Sequence, residues 1–160
     1  MKSKKLLSLL LVLAMMFSLA VTAGAEETLV ISPAPADEIV ILHTNDVHCN
    51  YEAYDKVAAL AKDADLLVDA GDAIQGGVIG TLSKGEYIVD VMNEIGYDAA
   101  IPGNHEFDYG MDQFLKLAKE KAEYPYLSAN FVDKTGKPVF DDYKLFDVDG
   151  TKIAFVGLCT

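Results

Sequence analysis

The sequence predicts an α/β fold built on a parallel sheet, and three observations predict it. Short apolar, β-branched runs alternate with stretches of helical period. Each of the first three runs ends in a turn rich in glycine or polar residues. The residues able to do chemistry collect at those same run ends, the edge at which open parallel sheets keep their ligand sites.

The chain begins with an address rather than a fold. Lys2, Lys4 and Lys5 precede a nearly unbroken apolar run from Leu6 to Ala20, and Ala23-Gly24-Ala25 forms a small-x-small cleavage site ahead of Glu26 and Glu27. Residues 1–25 therefore read as a secretory signal peptide. Ser8 and Ser18 interrupt the run, which falls short of the roughly 20 apolar residues a membrane span needs. Residues 26–38, with Pro33 and Pro35 and no period, read as a linker, and residues 39–160 as the domain.

Within the domain, Ile39 to Leu42 reads as a strand buried on both faces. Val57, Leu60, Ala61 and Ala64 mark one face of a helix over Lys56 to Ala64. Leu66 to Ala70 is the second strand. Ile88, Val91, Met92 and Ile95 predict a helix over Glu86 to Ile95, with Gly96 placed to stop it. Asp98 to Ile101 is the third strand, ending at Pro102-Gly103. Phe114, Leu117, Ala118 and Lys121 mark a helix over Met111 to Ala122. A further short strand is expected at Tyr126 to Ala129. Asp149-Gly150 between Tyr143–Val148 and Thr151–Val156 is a strong two-residue hairpin signal.

Composition limits the partners. The chain carries a formal charge of −12, with 25 acidic residues against 13 basic ones, and every basic residue is lysine. Nucleic acid polymers need clustered cations and are excluded as partners. A small phosphorylated ligand would be repelled too, unless bound cations reversed the local field. Two cysteines, Cys49 and Cys159, make no disulfide framework. Cys49 beside His48 reads as a small buried residue rather than a thiolate ligand or nucleophile.

Three strand ends carry the polar sets. After the first come Asp46 and His48; after the second, Gly71-Asp72 with Gln75 beyond; after the third, Asn104-His105-Glu106 with Asp108. In a parallel layer all three loops leave the same edge and converge. Carboxylate, imidazole and amide oxygen together suit Zn²⁺, Mn²⁺ or Fe rather than Mg²⁺ alone. His43 and Glu106 read as structural residues, and Asp141-Asp142 as a solvated loop.

On Ile41-Leu42-His43-Thr44-Asn45-Asp46-Val47-His48, Asp69-Ala70-Gly71-Asp72-Ala73-Ile74-Gln75-Gly76, Gly103-Asn104-His105-Glu106-Phe107-Asp108 and Tyr126-Leu127-Ser128-Ala129-Asn130, the chain resembles the calcineurin-like metallophosphoesterases. Within them it is similar to the secreted 5′-nucleotidase and 2′,3′-cyclic-nucleotide phosphodiesterase group. The resemblance implies a four-layer α/β/β/α sandwich. It also implies two divalent metal ions (Zn, Mn, Fe, Co or Mg) that activate a hydroxide against a phosphate ester. Asp46, His48, Asp72 and Asn104 look like metal ligands, with Asp72 bridging. His105 looks like the catalytic histidine and Asp108 like its orienting partner.

The family takes further ligands from a Gly-His loop and a Gly-His-x-His or Gly-His-x-Gln loop. The only histidines here are His43, His48 and His105. The sequence-level expectation is therefore a sandwich truncated after its first half, inactive alone. Its parent would hydrolyse a small phosphate ester, a nucleotide first, outside the cytoplasm, in the periplasm or the extracellular medium. The alternatives are a secreted non-catalytic binding module and a phosphoesterase of other specificity, for cyclic nucleotides or sugar phosphates. Oligomeric state has no signature in the sequence.

Overall fold

The computed structural model describes residues 38–159. The expected signal peptide, 1–25, and all but the last residue of the linker lie outside the described residues. Strands β1 (Ile41–Thr44), β2 (Leu66–Asp69) and β3 (Ala99–Ala100) form a parallel sheet in that order. Ile41 stands opposite Leu66, and Val68 opposite Ala99. The segment at Tyr126 extends the sheet: it bridges Ala100 in parallel, and the Leu127 N–H donates to the Ala100 carbonyl at 2.8 Å. The expected strand at Tyr126 to Ala129 is thus a pair of bridges, at Tyr126 and Leu127, rather than a full ladder.

β1 lies further along the chain than its apolar run suggests. The strand takes in His43 and Thr44, because the Thr44 hydroxyl donates to the buried Asp69 carboxylate at 2.6 Å and so pairs a polar residue inside the sheet. Nor is the strand buried on both faces: Ile41 is 43 % exposed and His43 is exposed, while Thr44 is buried.

Helix α1 spans Tyr51–Leu60 and ends in a 3₁₀ turn, Ala61–Asp63. It starts well before Lys56 because Tyr54, fully buried, belongs to the same core stripe as Val57. Helix α2, Gly77–Ser83, has no counterpart in the sequence pattern, since its large apolar residues Val78 and Leu82 point outward and leave no buried stripe. Helix α3, Glu86–Ile95, matches the pattern to the residue. Ile88, Val89 and Met92 are buried, and left-handed Gly96 (φ 89°) returns its N–H to the Met92 carbonyl at 3.1 Å to end the helix. Helix α4, Met111–Lys116, continues as a wider π turn over Leu117–Lys121, with the Ala122 N–H reaching the Leu117 carbonyl at 2.8 Å. One cluster of buried side chains joins these elements, from Tyr54 on α1 through Leu67 on β2 and Met92 on α3 to Phe114 on α4.

Strands β4 (Tyr143–Val148) and β5 (Thr151–Val156) form the expected antiparallel hairpin. Both turn residues are left-handed, Asp149 at φ 49° and Gly150 at φ 84°, as a type I′ turn requires. Gly150→Ala is therefore expected to destabilise the chain by about 1–2 kcal/mol, the cost of a Cβ in that region. A denaturant titration of the two proteins reads it directly. No helix among the described residues is long and apolar enough to cross a membrane.

Candidate metal centre

The loops at the ends of β1 and β2 are locked together by their own backbones. The N–H groups of Asp46, His48 and Cys49 donate to the carbonyls of Gly71, Asp72 and Ala73, each at 3.0 Å. These bonds hold Asp46 (φ 55°), His48 (φ 50°), Cys49 (φ 57°) and Asp72 (φ 60°) in the left-handed region, which non-glycine residues seldom enter. Such conformations cost of order 1–3 kcal/mol each and persist where the surroundings over-determine them, characteristically at functional sites. The second and third loops touch back to back. A Cβ on Gly71 (φ 100°) would sit 2.7 Å from the Gly103 nitrogen, so the approach depends on glycine.

The side chains follow from this frame. The His48 Nδ1 lies 3.1 Å from both the Gln75 carbonyl and the Gln75 Oε1. Donation from Nδ1 to Gln75 leaves Nε2 with its lone pair free, as a metal ligand requires. That Nε2 is 3.7 Å from Asp46 Oδ1, and the Asn45 amide donates to the other Asp46 oxygen. Asp72, 9 % exposed, accepts the His105 N–H on Oδ1 at 2.7 Å. His48, Asp72 and His105 each offer a ligand atom, all within 4.8 Å of one another, and the two imidazole rings stand 5.0 Å apart at 69°. His105 Nδ1 is 2.8 Å from Asp108 Oδ2. Asn104 is exposed and opens the 3₁₀ turn His105–Phe107, with no capping bond from its side chain.

Of the six residues singled out in the sequence, the fold thus joins His48 to Asp46, and His105 to both Asp72 and Asp108. Asn104 reaches the site by adjacency to His105 alone. His43, exposed on β1, stands outside the group. Imidazole nitrogen and carboxylate oxygen on one rim form a mixed donor set that fits first-row divalent ions.

The hydrogen bond to Asp108, supported by its charge, raises the His105 pKa above the ordinary imidazole value. Asp108→Asn is expected to bring it back down, which an NMR titration of the metal-free chain resolves. The sign follows from linkage: the raised value contributes stability at pH below the unfolded pKa, and the contribution disappears as pH rises through the folded one.

Two supporting residues escaped the sequence reading. Gln75, noted there only as lying beyond Asp72, orients His48. Asp69, 3 % exposed, accepts from the Thr44 hydroxyl at 2.6 Å and from the Gly71 N–H at 2.9 Å, so it braces the turn that carries Asp72. The Tyr97 hydroxyl completes the chain, 3.0 Å from Thr44 Oγ1. Burial pushes the Asp69 carboxyl up to about 7. A carboxylate inside the apolar run Leu66-Leu67-Val68-Asp69 was the available signal. Gln75 had none, because its partner lies on another loop.

Cys49 is buried, donates to the Ile74 carbonyl at 3.0 Å, and has its thiol pushed up to about 11 by burial and the Glu106 charge. It is a neutral packing residue, and both cysteines are free.

A family model described as calcineurin-like phosphoesterase matches residues 39–157. Among curated relatives, a 5′-nucleotidase of Vibrio cholerae is 39% identical over 143 residues, covering 77% of this chain and 25% of the relative. A 2′,3′-cyclic-nucleotide 2′-phosphodiesterase/3′-nucleotidase of Yersinia enterocolitica is 35% identical over 138 residues, covering 69% and 21%. Among solved structures, the NAD nucleotidase of Haemophilus influenzae is similar with a TM-score of 0.66 at 35% identity, covering 76% of this chain and 26% of that one. The chain therefore spans about a quarter of the length of these proteins.

Proposed function

Because the chain belongs to the calcineurin-like phosphoesterase family and shares the fold of its solved members, we propose that it forms a metal-dependent centre for hydrolysing phosphate esters, nucleotides foremost. In this reading Asp46, His48, Asp72 and Asn104 hold two divalent ions, and His105 with Asp108 forms the catalytic pair. One observation carries it: His48, Asp72 and His105, from three separate loops, present ligand atoms within 4.8 Å of one another.

Two divalent ions, if held there by Asp46, His48, Asp72 and Asn104, would supply positive charge to a bound phosphate and would make water nucleophilic near neutral pH. The chain's own residues do the rest. Asp72, tied to both neighbouring loops, fixes the rim. His48, turned by Gln75, directs Nε2 inward. Asp108 occupies His105 Nδ1, so the proton for the departing oxygen sits on Nε2. Two relatives named as nucleotide hydrolases support nucleotides as the ester class, and the Yersinia relative supports cyclic 2′,3′-nucleotides as the second substrate. The leader pattern of residues 1–25 supports a secreted or envelope location.

The test is phosphate release from a nucleoside 5′-monophosphate and from a 2′,3′-cyclic nucleotide, with Mn²⁺ or Zn²⁺, measured on the complete reading frame. Metal-dependent release supports the proposal. Absence of release from both esters with metal bound points instead to a binding module.

A further inference from the structure

We infer that Glu106 is the positioning residue of this centre, its carboxylate setting the separation between the loop that carries Asp72 and the loop that carries Asn104 and His105. The inference rests on the metal-centre reading above. Glu106 is fully buried. Its Oε2 accepts the Asp72 N–H at 2.8 Å and the Gly103 N–H at 2.6 Å, so a single oxygen bridges the two loops. Its Oε1 accepts the Ala73 N–H at 2.9 Å and, more weakly, the Ile74 N–H at 3.5 Å. A reciprocal bond runs the other way, from the His105 N–H to Asp72 Oδ1 at 2.7 Å. Each loop thus lends a carboxylate to the backbone of the other.

The same backbone stretch is held from its far side. The carbonyls of Gly71, Asp72 and Ala73 accept from the first loop, at 3.0 Å each, while the N–H groups of Asp72 and Ala73 point at Glu106. Asp72 therefore has its position set by both neighbouring loops, and Glu106 is the side chain that supplies one of those restraints. A neutral residue could fill the space, but not this role. Both oxygens face N–H donors, so glutamine in either orientation must oppose its NH₂ to a backbone N–H. Aspartate keeps the charge but is one methylene too short to reach both loops.

Glu106→Gln and Glu106→Asp test this in the 160-residue chain. Titration with Zn²⁺ and Mn²⁺ gives affinity, the visible absorption of the Co²⁺-loaded chain reports ligand geometry, and far-UV circular dichroism reports folding. Both variants are expected to fold, to lose about 10–100-fold in metal affinity, as when other outer-shell partners are removed, and to shift the Co²⁺ band. Folded variants with wild-type affinity and spectrum would overturn the inference alone. A wild-type chain that takes up no ion overturns the metal reading and this inference with it. Where the variants do not fold, amide hydrogen exchange of the wild type decides. Added metal should slow exchange at Asp72, Ala73 and Gly103 together, and unchanged exchange at all three counts against the role.

Discussion

Replacing His105 by alanine is expected to lower phosphate release by about 10²–10⁴-fold, the usual contribution of a positioned acid or base, while leaving metal uptake within a few-fold of wild type. The geometry supports this separation. Asp108 holds Nδ1 at 2.8 Å, and the His105 backbone N–H is already committed to Asp72. An imidazole engaged by a carboxylate on one nitrogen presents the other as a proton donor, and its raised pKa keeps that donor protonated to higher pH. His105 also stands within 4.8 Å of the ligand atoms of His48 and Asp72, so the competing role is direct coordination. The two roles separate cleanly: a donor lost by His105→Ala costs turnover alone, whereas a ligand lost costs metal in the same proportion. Asp108→Asn adds a second signature. The alkaline limb of the rate profile should move to lower pH, because the protonated form gives way earlier as pH rises.

The second large effect belongs to Asp72. Asp72→Asn is expected to weaken divalent metal binding by more than the 10–100-fold that follows loss of an outer-shell partner, with the fold retained. Asparagine tolerates the left-handed backbone that φ 60° demands, and its amide oxygen can still accept the His105 N–H. What it removes is the charge between His48 and His105. Equilibrium dialysis against Zn²⁺, with circular dichroism as the folding control, measures the effect. Binding unchanged from wild type would show that Asp72 serves the backbone only.

Much of this molecule could be read from residue order, and the exceptions share a cause. Helix α3 and the β4–β5 hairpin are legible to the residue because each is specified locally: Ile88, Met92 and Ile95 at helical spacing with a glycine stop, and Asp149-Gly150 between alternating strands. Helix α2 is illegible because Val78 and Leu82 face outward, so no buried period marks it. β1 is displaced because Thr44 is a polar residue made acceptable inside a sheet by a partner 25 positions away, a pairing that leaves no local trace.

The candidate site divides in the same way. Its chemistry was visible because Asp46-x-His48, Gly71-Asp72 and Asn104-His105 are contiguous motifs at strand ends. Its support was not. The bond from His48 to Gln75 and the Asp72, Ala73 and Ile74 N–H groups gathered by Glu106 join residues on different loops, and these, like the local bracing of Gly71 by Asp69, mostly end on backbone atoms that every residue type carries. The left-handed conformations of Asp46, His48 and Asp72 belong to the same class: Asp and His tolerate that region better than most residues, but it is the interlocking of the loops that imposes it.

The most direct test of a three-loop metal centre is anomalous diffraction from crystals of the chain soaked in Mn²⁺. A metal centre at these loops should give an anomalous peak bounded by Asp46, His48 and Asp72, absent from crystals of Asp72→Asn. A wild-type crystal with no peak there, or a peak that persists in the variant, would contradict it.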